Sequence, residues 1–434
     1  MAALASSGAK VGVNYLKHYG KRAVGGESDT ADLHSRNASE VYDTFSKLKG
    51  GPLKVAQMLS IDSGLLPEAY ATQFSQAQYS APPLSYPLVA RTFRRELGCD
   101  PLAIFESFEQ SAAHGASIGQ VHKAVKNGQT YAVKVQYPGV ADSLQSDLRI
   151  IRPIAVQMFG LRDEDVAGYF REVEARLLEE TDYAHELTRS MALSAASSDL
   201  RHVAFTRYYP EYSTKRILTM DWVDGEPLDR FADGPACQNE RNQIGQALWD
   251  FYHFQIHTLR VFHADPHPGN FLCQDGTLWP IDFGCTKQID EEFYHKQFRF
   301  LDPALLDQPA QLLEALRAIQ VILPNDSTEE IAHMLGLCRK SLELLAAPFR
   351  SPVFDFGDPT FMQAIYAFGE ENRRGEMMRR MRGERGSPHS LYVNRTYFGL
   401  YALLSRLRAE VQVCLPSPVR ETCVARDCRD VASR

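Results

Sequence analysis

The spacing of apolar residues changes along this chain, and each change marks a boundary. Up to about residue 100 the apolar positions recur at three and four, which predicts helices. YDTFSKLKG ends on Gly50-Gly51, Pro52 suits a first helical turn, and LKVAQMLSID resumes the period. SAPPLSYPL, with its prolines, interrupts the pattern before VARTFRRELG restarts it. From about residue 104 the spacing shortens to two. SIGQVHKAV and YAVKVQY alternate like strands, and Lys126-Asn127-Gly128-Gln129 between them predicts a hairpin turn, because Asn-Gly tolerates the left-handed backbone such turns require.

Helical spacing with many charges returns over residues 141 to about 195. HVAFTRYYPEYS and KRILTMDWV then read as strands, closed by Asp224-Gly225, and after about 240 helical spacing dominates. The fold class this predicts is α+β with the two lobes of a protein-kinase-like fold. Residues 1–100 form a helical extension, 101–225 a β-rich lobe with inserted helices, 226–412 a helical lobe and 413–434 a flexible tail.

Composition narrows the partners. At 434 residues and 44% hydrophobic the chain can bury a large core, and a net charge of −7 gives no general electrostatic reason to expect nucleic acid. Of 8 cysteines only Cys414, Cys423 and Cys428 cluster, without the paired C-x-x-C of a zinc knuckle, which points to free thiols in a reducing compartment. No run approaches the roughly 20 apolar residues of a membrane-spanning helix, so the protein is expected in the cytoplasm or peripherally on a membrane. Lys10, Lys17, Lys21 and Arg22, with no acidic residue before Glu27, also suit import into a mitochondrion or plastid.

The densest chemistry lies in HADPHPGNFLCQDGTLWPIDFG, residues 263 to 284. Asp265 precedes Asn270 by the interval of a kinase catalytic loop, and Asp282-Phe283-Gly284 follows where a metal would be held against nucleotide phosphates. Phosphoryl transfer needs a cation for the phosphates, metal ligands and an acceptor for the nucleophile's proton. Lys134 in YAVKVQ suits the first need. A carboxylate should hold it, and Glu179, Glu180, Asp182 and Glu186 offer four. Glu179, Asp182 and Glu186 share a face at helical returns, so spacing leaves the partner open. Ala112 to Gln120 stands where a kinase has its glycine-rich loop. Asp221, Trp222 and Val223 stand where backbone groups would meet an adenine. A zinc site of His263, Asp265 and His267 is disfavoured by Pro266 and Pro268 and by the lack of further ligands.

Together these residues resemble the UbiB/AarF family of atypical protein-kinase-like proteins, associated with ubiquinone biosynthesis. Its K-x-G-Q-x-x-S motif corresponds to Lys54–Ser60, its alanine-rich loop to His114–His122, and its E-x-D motif to Glu180-Thr181-Asp182; H-A-D-P-H-P-G-N and DFG are intact. The resemblance spans about residues 40 to 290. It implies ATP and Mg2+ as cofactors. Lys134 would meet the α/β-phosphates with Glu186 as its partner, Asp265 would take the catalytic-base position, and Asn270 and Asp282 would hold magnesium. Ala116, Ser117, Ile118, Gly119 and Gln120 would form the nucleotide loop with Glu180 and Asp182 nearby, while Lys54 and Gln57 reach toward the nucleotide and the E-x-D carboxylates. Partners implied are a membrane surface or isoprenoid lipid and quinone-biosynthesis enzymes.

The chain departs from the family at Ala56, in place of a glycine, and at His114 and Gly115, in place of alanines; the membrane-spanning C-terminus of some members is not expected here. The rival readings are a small-molecule kinase of the aminoglycoside or choline kinase type, which also uses H-x-D-x-x-x-x-N, and a nucleotide-binding scaffold without turnover.

Overall fold

The computed structural model describes residues 84–116, 118–142, 146, 148–149, 152–153, 170–171, 174–175, 178–374 and 385–414. The expected helices around residues 40–60, with Lys54 and Gln57, lie outside these residues, as do Ser117 and the expected tail beyond Cys414. The described residues divide into two compact units: one reaching Thr188 and taking in Arg207–Trp222, the other made of Arg189–Thr206 and the residues from Val223 onward.

The first unit opens with α1, Tyr86–Leu97. Its Pro87 lies in the first turn, where a missing N–H costs nothing, and Gly98 at φ +77° closes it by donating its N–H to Arg94 O at 3.1 Å. Five strands follow: β1 (Ser107–Phe108), β2 (His114–Ala116), β3 (Gly119–Lys126), β4 (Gln129–Gln136) and β5 (Ile217–Asp221). They pair antiparallel in the order β1-β3-β4-β5, with β2 also on β3. The β3–β4 turn is the predicted Asn127-Gly128, both with positive φ (52° and 74°), as a type I′ turn demands.

Register sorts this sheet into two faces. Tyr131, Val133, Val135 and Ile217 lie on one face and pack with Val89 and Phe93 of α1 and with Phe105 and Phe108. Ala132, Lys134, Leu218 and Met220 point the other way, toward Tyr183, the first residue of α2 (Tyr183–Ala196).

HVAFTRYYPEYS does not form the expected strand. It makes only single bridges, Val203 to Leu278 and Tyr208 to Met220, and then a 3-10 turn over Pro210–Tyr212. The segment passes from one unit to the other between Thr206 and Arg207. Pro210 lacks the N–H a ladder needs, and Tyr208 and Tyr209 are apolar because each buries its ring in a different cluster.

The second unit is mostly helical. Helix α3 (Gln238–Phe254) buries Ile244, Leu248, Trp249 and Phe251 and ends in a π turn over Gln255–Leu259. Around it lie α4 (Glu291–Phe298), α5 (Thr328–Ala346), α6 (Pro359–Arg374) and α7 (Pro388–Leu407). Small sheets complete it: β6 (Glu226–Pro227), β8 (Phe271–Gln274) and β9 (Thr277–Pro280) in one, β7 (Val261–His263) with β10 (Thr286–Gln288) in a second, and β11 (Val353–Asp355) with β12 (Glu410–Gln412) in a third.

The π turn delivers His257 into this core, its ring nitrogens bonded to the hydroxyls of Tyr294 (2.9 Å) and Tyr397 (2.7 Å). Burial holds His257 well below the ordinary 6.5, so the folded ring stays neutral while an unfolded chain would protonate there. Its contribution is complete above pH 6.5 and falls as pH drops, by about 1.4 kcal/mol per pH unit until the folded pKa is reached. Urea midpoints at about pH 7.5 and about pH 5.5 should show the loss, and His257→Phe should shrink the difference between them.

Candidate functional site

In the first unit, Lys134 projects from the middle of β4 and is 6% exposed. Its Nζ donates to Glu186 Oε1 at 2.9 Å and Oε2 at 3.2 Å, and lies 5.0 Å from the centre of the Tyr183 ring. Of the four carboxylates left open by spacing, Glu186 makes this pair. Glu179, Asp182 and Glu186 do not share one helical face, because the helix is interrupted at Thr181 and Asp182. Asp182 Oδ1 accepts from Ala184 N at 3.0 Å and so caps the start of α2, leaving Glu186 in its first turn. Glu180 is half-buried on the turn before that break.

The loop expected to cradle phosphates is a tight hairpin. His114 pairs with Val121, Gly115 with Gln120 and Ala116 with Gly119, so the pairing runs right up to the turn. Ile118 is buried, and its carbonyl accepts from Tyr137 N at 2.8 Å. Gly119 allows the turn to press on β4. A Cβ there would run into the Val135 carbonyl oxygen and stand 2.9 Å from Tyr183 Oη. Gly115 has no such neighbour within 4 Å. Gly119→Ala should therefore cost about 1–3 kcal/mol of stability by overpacking, whereas Gly115→Ala should be neutral or stabilise by about 0.4–1 kcal/mol. Denaturant midpoints of the two variants check this.

His114 stacks on Trp222 with ring centres 5.8 Å apart and planes at 20°, and Lys123 Nζ stands 4.8 Å from the Trp222 ring. Asp221 has its carboxylate in local hydrogen bonds, from Tyr209 Oη at 2.8 Å and Gln129 Nε2 at 2.6 Å. The division between units falls directly after Trp222, so Val223 belongs to the second.

In the second unit the His263–Gly284 stretch folds on itself. β7 ends at His263, whose backbone N–H donates to Gln255 Oε1 at 2.8 Å. The His263 ring is buried, with Nδ1 3.0 Å from Tyr252 Oη and a hydrogen bond to the Asp282 backbone; burial lowers its pKa. It also meets the ring of Phe283 edge-on at 6.0 Å. His263 thus ties the catalytic-loop sequence to the DFG sequence. His267 shapes the loop locally, its Nδ1 accepting from Gly269 N at 3.1 Å.

Asn270 Nδ2 donates to the Asp265 carbonyl at 2.9 Å and reaches Asp265 Oδ2 at 3.4 Å, and the Asn270 carbonyl accepts from Ile281 N at 3.0 Å, one residue before Asp282. Asp282 Oδ1 accepts from Gly284 N at 2.8 Å. Asp265, Asn270 and Asp282 are thereby gathered by a few backbone bonds.

Sequence reasoning missed Arg395. It lies on α7, and its Nη2 donates to Asp265 Oδ1 at 2.6 Å, both side chains 16% exposed. One helical turn on, Gly399 faces Pro266: a Cβ at residue 399 would collide with the Pro266 ring and stand 3.4 Å from its carbonyl oxygen. Gly399→Ala should push α7 off the loop, lower stability by about 1–3 kcal/mol and loosen the Arg395–Asp265 pair. Thermal melts read the first effect, and the pH dependence of any phosphate-releasing activity reads the second.

A strand-rich unit with a buried Lys–Glu pair, and a helical unit with the D-x-x-x-x-N and DFG sequences folded together, define a protein-kinase-like fold. Residues 76–315 match the ABC1 atypical kinase-like domain. The chain belongs to that family, which takes in the UbiB/AarF and COQ8 proteins.

It is 30% identical over 289 residues to the chloroplastic protein ACTIVITY OF BC1 COMPLEX KINASE 8 of Arabidopsis thaliana, covering 64% of this chain and only 38% of the plant protein. It is 28% identical to the mitochondrial atypical kinase COQ8 of Saccharomyces cerevisiae, over 92% of this chain and 82% of the yeast protein. Among solved structures, Rv3197 of Mycobacterium tuberculosis, determined in complex with erythromycin, superposes with a TM-score of 0.58 at 26% identity, covering 88% of this chain and 95% of that one.

Proposed function

We propose that this protein binds ATP with Mg2+ and uses it, as an atypical kinase or ATPase, in support of isoprenoid-quinone or related lipid metabolism. The observation that carries the reading is the buried Lys134–Glu186 pair at 2.9 Å. A lysine burying its charge on a strand is costly, and one held by a carboxylate is pre-oriented to present its ammonium to an anion. In this reading Lys134 meets the α/β-phosphates, and the amides of Ala116, Ile118 and Gly119 line their approach.

Asn270 and Asp282 supply oxygen donors alone, the set that suits a hard, partly hydrated cation. The donation of Asn270 Nδ2 to Asp265 leaves Oδ1 for the ion. Magnesium held there would neutralise charge on the transferring phosphate. Asp265, its carboxylate steadied by Arg395 and Asn270, orients the attacking hydroxyl or water.

A hydrolytic or small-acceptor reaction fits better than protein phosphorylation. After DFG, β10 ends at Gln288 and α4 begins at Glu291, so two residues stand where a peptide-binding activation segment would extend. Quinone or lipid metabolism is proposed from kinship with COQ8, and a peripheral membrane location goes with it. Among the described residues no helix is long and apolar enough to cross a membrane.

The test is ATP hydrolysis measured with and without liposomes and a quinone-precursor mimic. Turnover stimulated by the membrane or the mimic is expected. Binding without turnover would identify a scaffold, and dependence on a soluble acceptor alone would identify a small-molecule kinase.

A further inference from the structure

Gln120 and His122 form a buried relay behind the β2–β3 hairpin. Gln120 pairs with Val135 and His122 with Val133, so both side chains leave the sheet on the face opposite Lys134, toward α1. Each is 0% exposed. Gln120 Oε1 accepts from Leu84 N at 2.6 Å, and its Nε2 lies 2.7 Å from His122 Nε2 and 3.4 Å from the Leu84 carbonyl. His122 Nδ1 lies 2.8 Å from the Glu109 carbonyl, and the ring stacks on Phe108 with centres 5.0 Å apart.

The protons in this relay are determined. A carbonyl oxygen only accepts, so His122 Nδ1 carries the hydrogen toward Glu109. Burial lowers the pKa of His122 and keeps the ring neutral, which leaves Nε2 as an acceptor. Only the amide nitrogen of Gln120 can face it, and Gln120 Oε1 is then committed to the Leu84 N–H. His122 therefore dictates which way Gln120 points, and Gln120 in turn holds the backbone of Leu84, whose side chain packs against the clusters on both faces of the sheet.

A polar relay of this kind adds little net stability over a well-packed apolar replacement, but it specifies one arrangement. What it specifies here is the register of Gln120, next to Gly119 in the hairpin turn and directly across from Gly115. We propose that Gln120, oriented by His122, is a positioning residue for nucleotide. It braces the hairpin from behind against Leu84, and so fixes the height at which the amides of Ala116, Ile118 and Gly119 stand. The nucleotide part rests on the function proposed above.

The experiment compares Gln120→Leu with Val89→Ala, which loses buried volume but no polar bond in the cluster behind the sheet, at matched loss of melting temperature. Gln120→Leu is expected to speed exchange of the Leu84 amide by about tenfold or more and to raise the Kd for MgATP about tenfold, while Val89→Ala leaves that Kd within about twofold. His122→Leu removes the group that orients Gln120, together with the bond to the Glu109 carbonyl and the stack on Phe108, and should move both readouts in the same direction; it stands in if Gln120→Leu fails to fold.

Equal Kd values for Gln120→Leu and Val89→Ala, or an unchanged Leu84 exchange rate, would overturn the proposal. Wild type that binds no magnesium nucleotide would overturn the nucleotide reading itself and the proposal with it. Normal wild-type binding with Gln120→Leu unchanged removes the proposal alone.

Discussion

Asp282→Asn is expected to abolish the thermal stabilisation that MgATP gives the wild type. At a ligand concentration about 100 times Kd, binding stabilises the folded state by about 2.7 kcal/mol. Asp282 contributes one of the two oxygen donors proposed for magnesium, and an amide in its place removes the charge that holds the ion while keeping the shape. The local bond that Asp282 Oδ1 accepts from Gly284 N at 2.8 Å can be accepted by an asparagine oxygen as well. Melting curves with and without MgATP read the effect. Retained stabilisation in Asp282→Asn would remove Asp282 from metal binding.

Lys134→Met should have the second large effect, on stability as well as on binding. Glu186 is 5% exposed, and its buried carboxylate would lose the ammonium at 2.9 Å. Breaking one side of a buried pair costs about 3–5 kcal/mol, most of it the penalty of the charge left behind. Glu186→Leu should also destabilise, because Lys134 Nζ loses both of its bonds to the Glu186 carboxylate. The double variant Lys134→Met/Glu186→Leu should be markedly more stable than the sum of the two single losses implies, since the pair is removed as a whole, yet it should bind no MgATP. Denaturant unfolding of the four proteins gives the cycle; additive losses would mean the pair does not act as a unit.

What the sequence made legible follows from range. The β3–β4 hairpin was readable because Asn127-Gly128 is a local signal whose positive φ values few other pairs allow. The D-x-x-x-x-N and DFG sequences were readable because their spacing is the chemistry. The partner of Lys134 was not settled by helical spacing, since Asp182 caps a new helix and breaks the period that seemed to join Glu179 to Glu186. Asp-Tyr at that point is itself a start signal, and it was available.

HVAFTRYYPEYS misled for a different reason. Its aromatic residues are apolar for burial in separate clusters, so alternation there carries no ladder. Arg395 gave no signal at all, because its pair with Asp265 joins residues 130 apart and nothing in the spacing of α7 sets it off from the other polar residues there. Gln120 was legible as part of a loop motif, but only the strand register reveals that its side chain turns to the back of the sheet.

The central claim is that this chain binds ATP through magnesium. Calorimetric titration of wild type with ATP, once in excess magnesium and once in excess chelator, tests it most directly. The account predicts saturable binding at one site per chain that disappears in chelator. Absence of binding in both magnesium and manganese, or binding of equal strength in chelator, would contradict it.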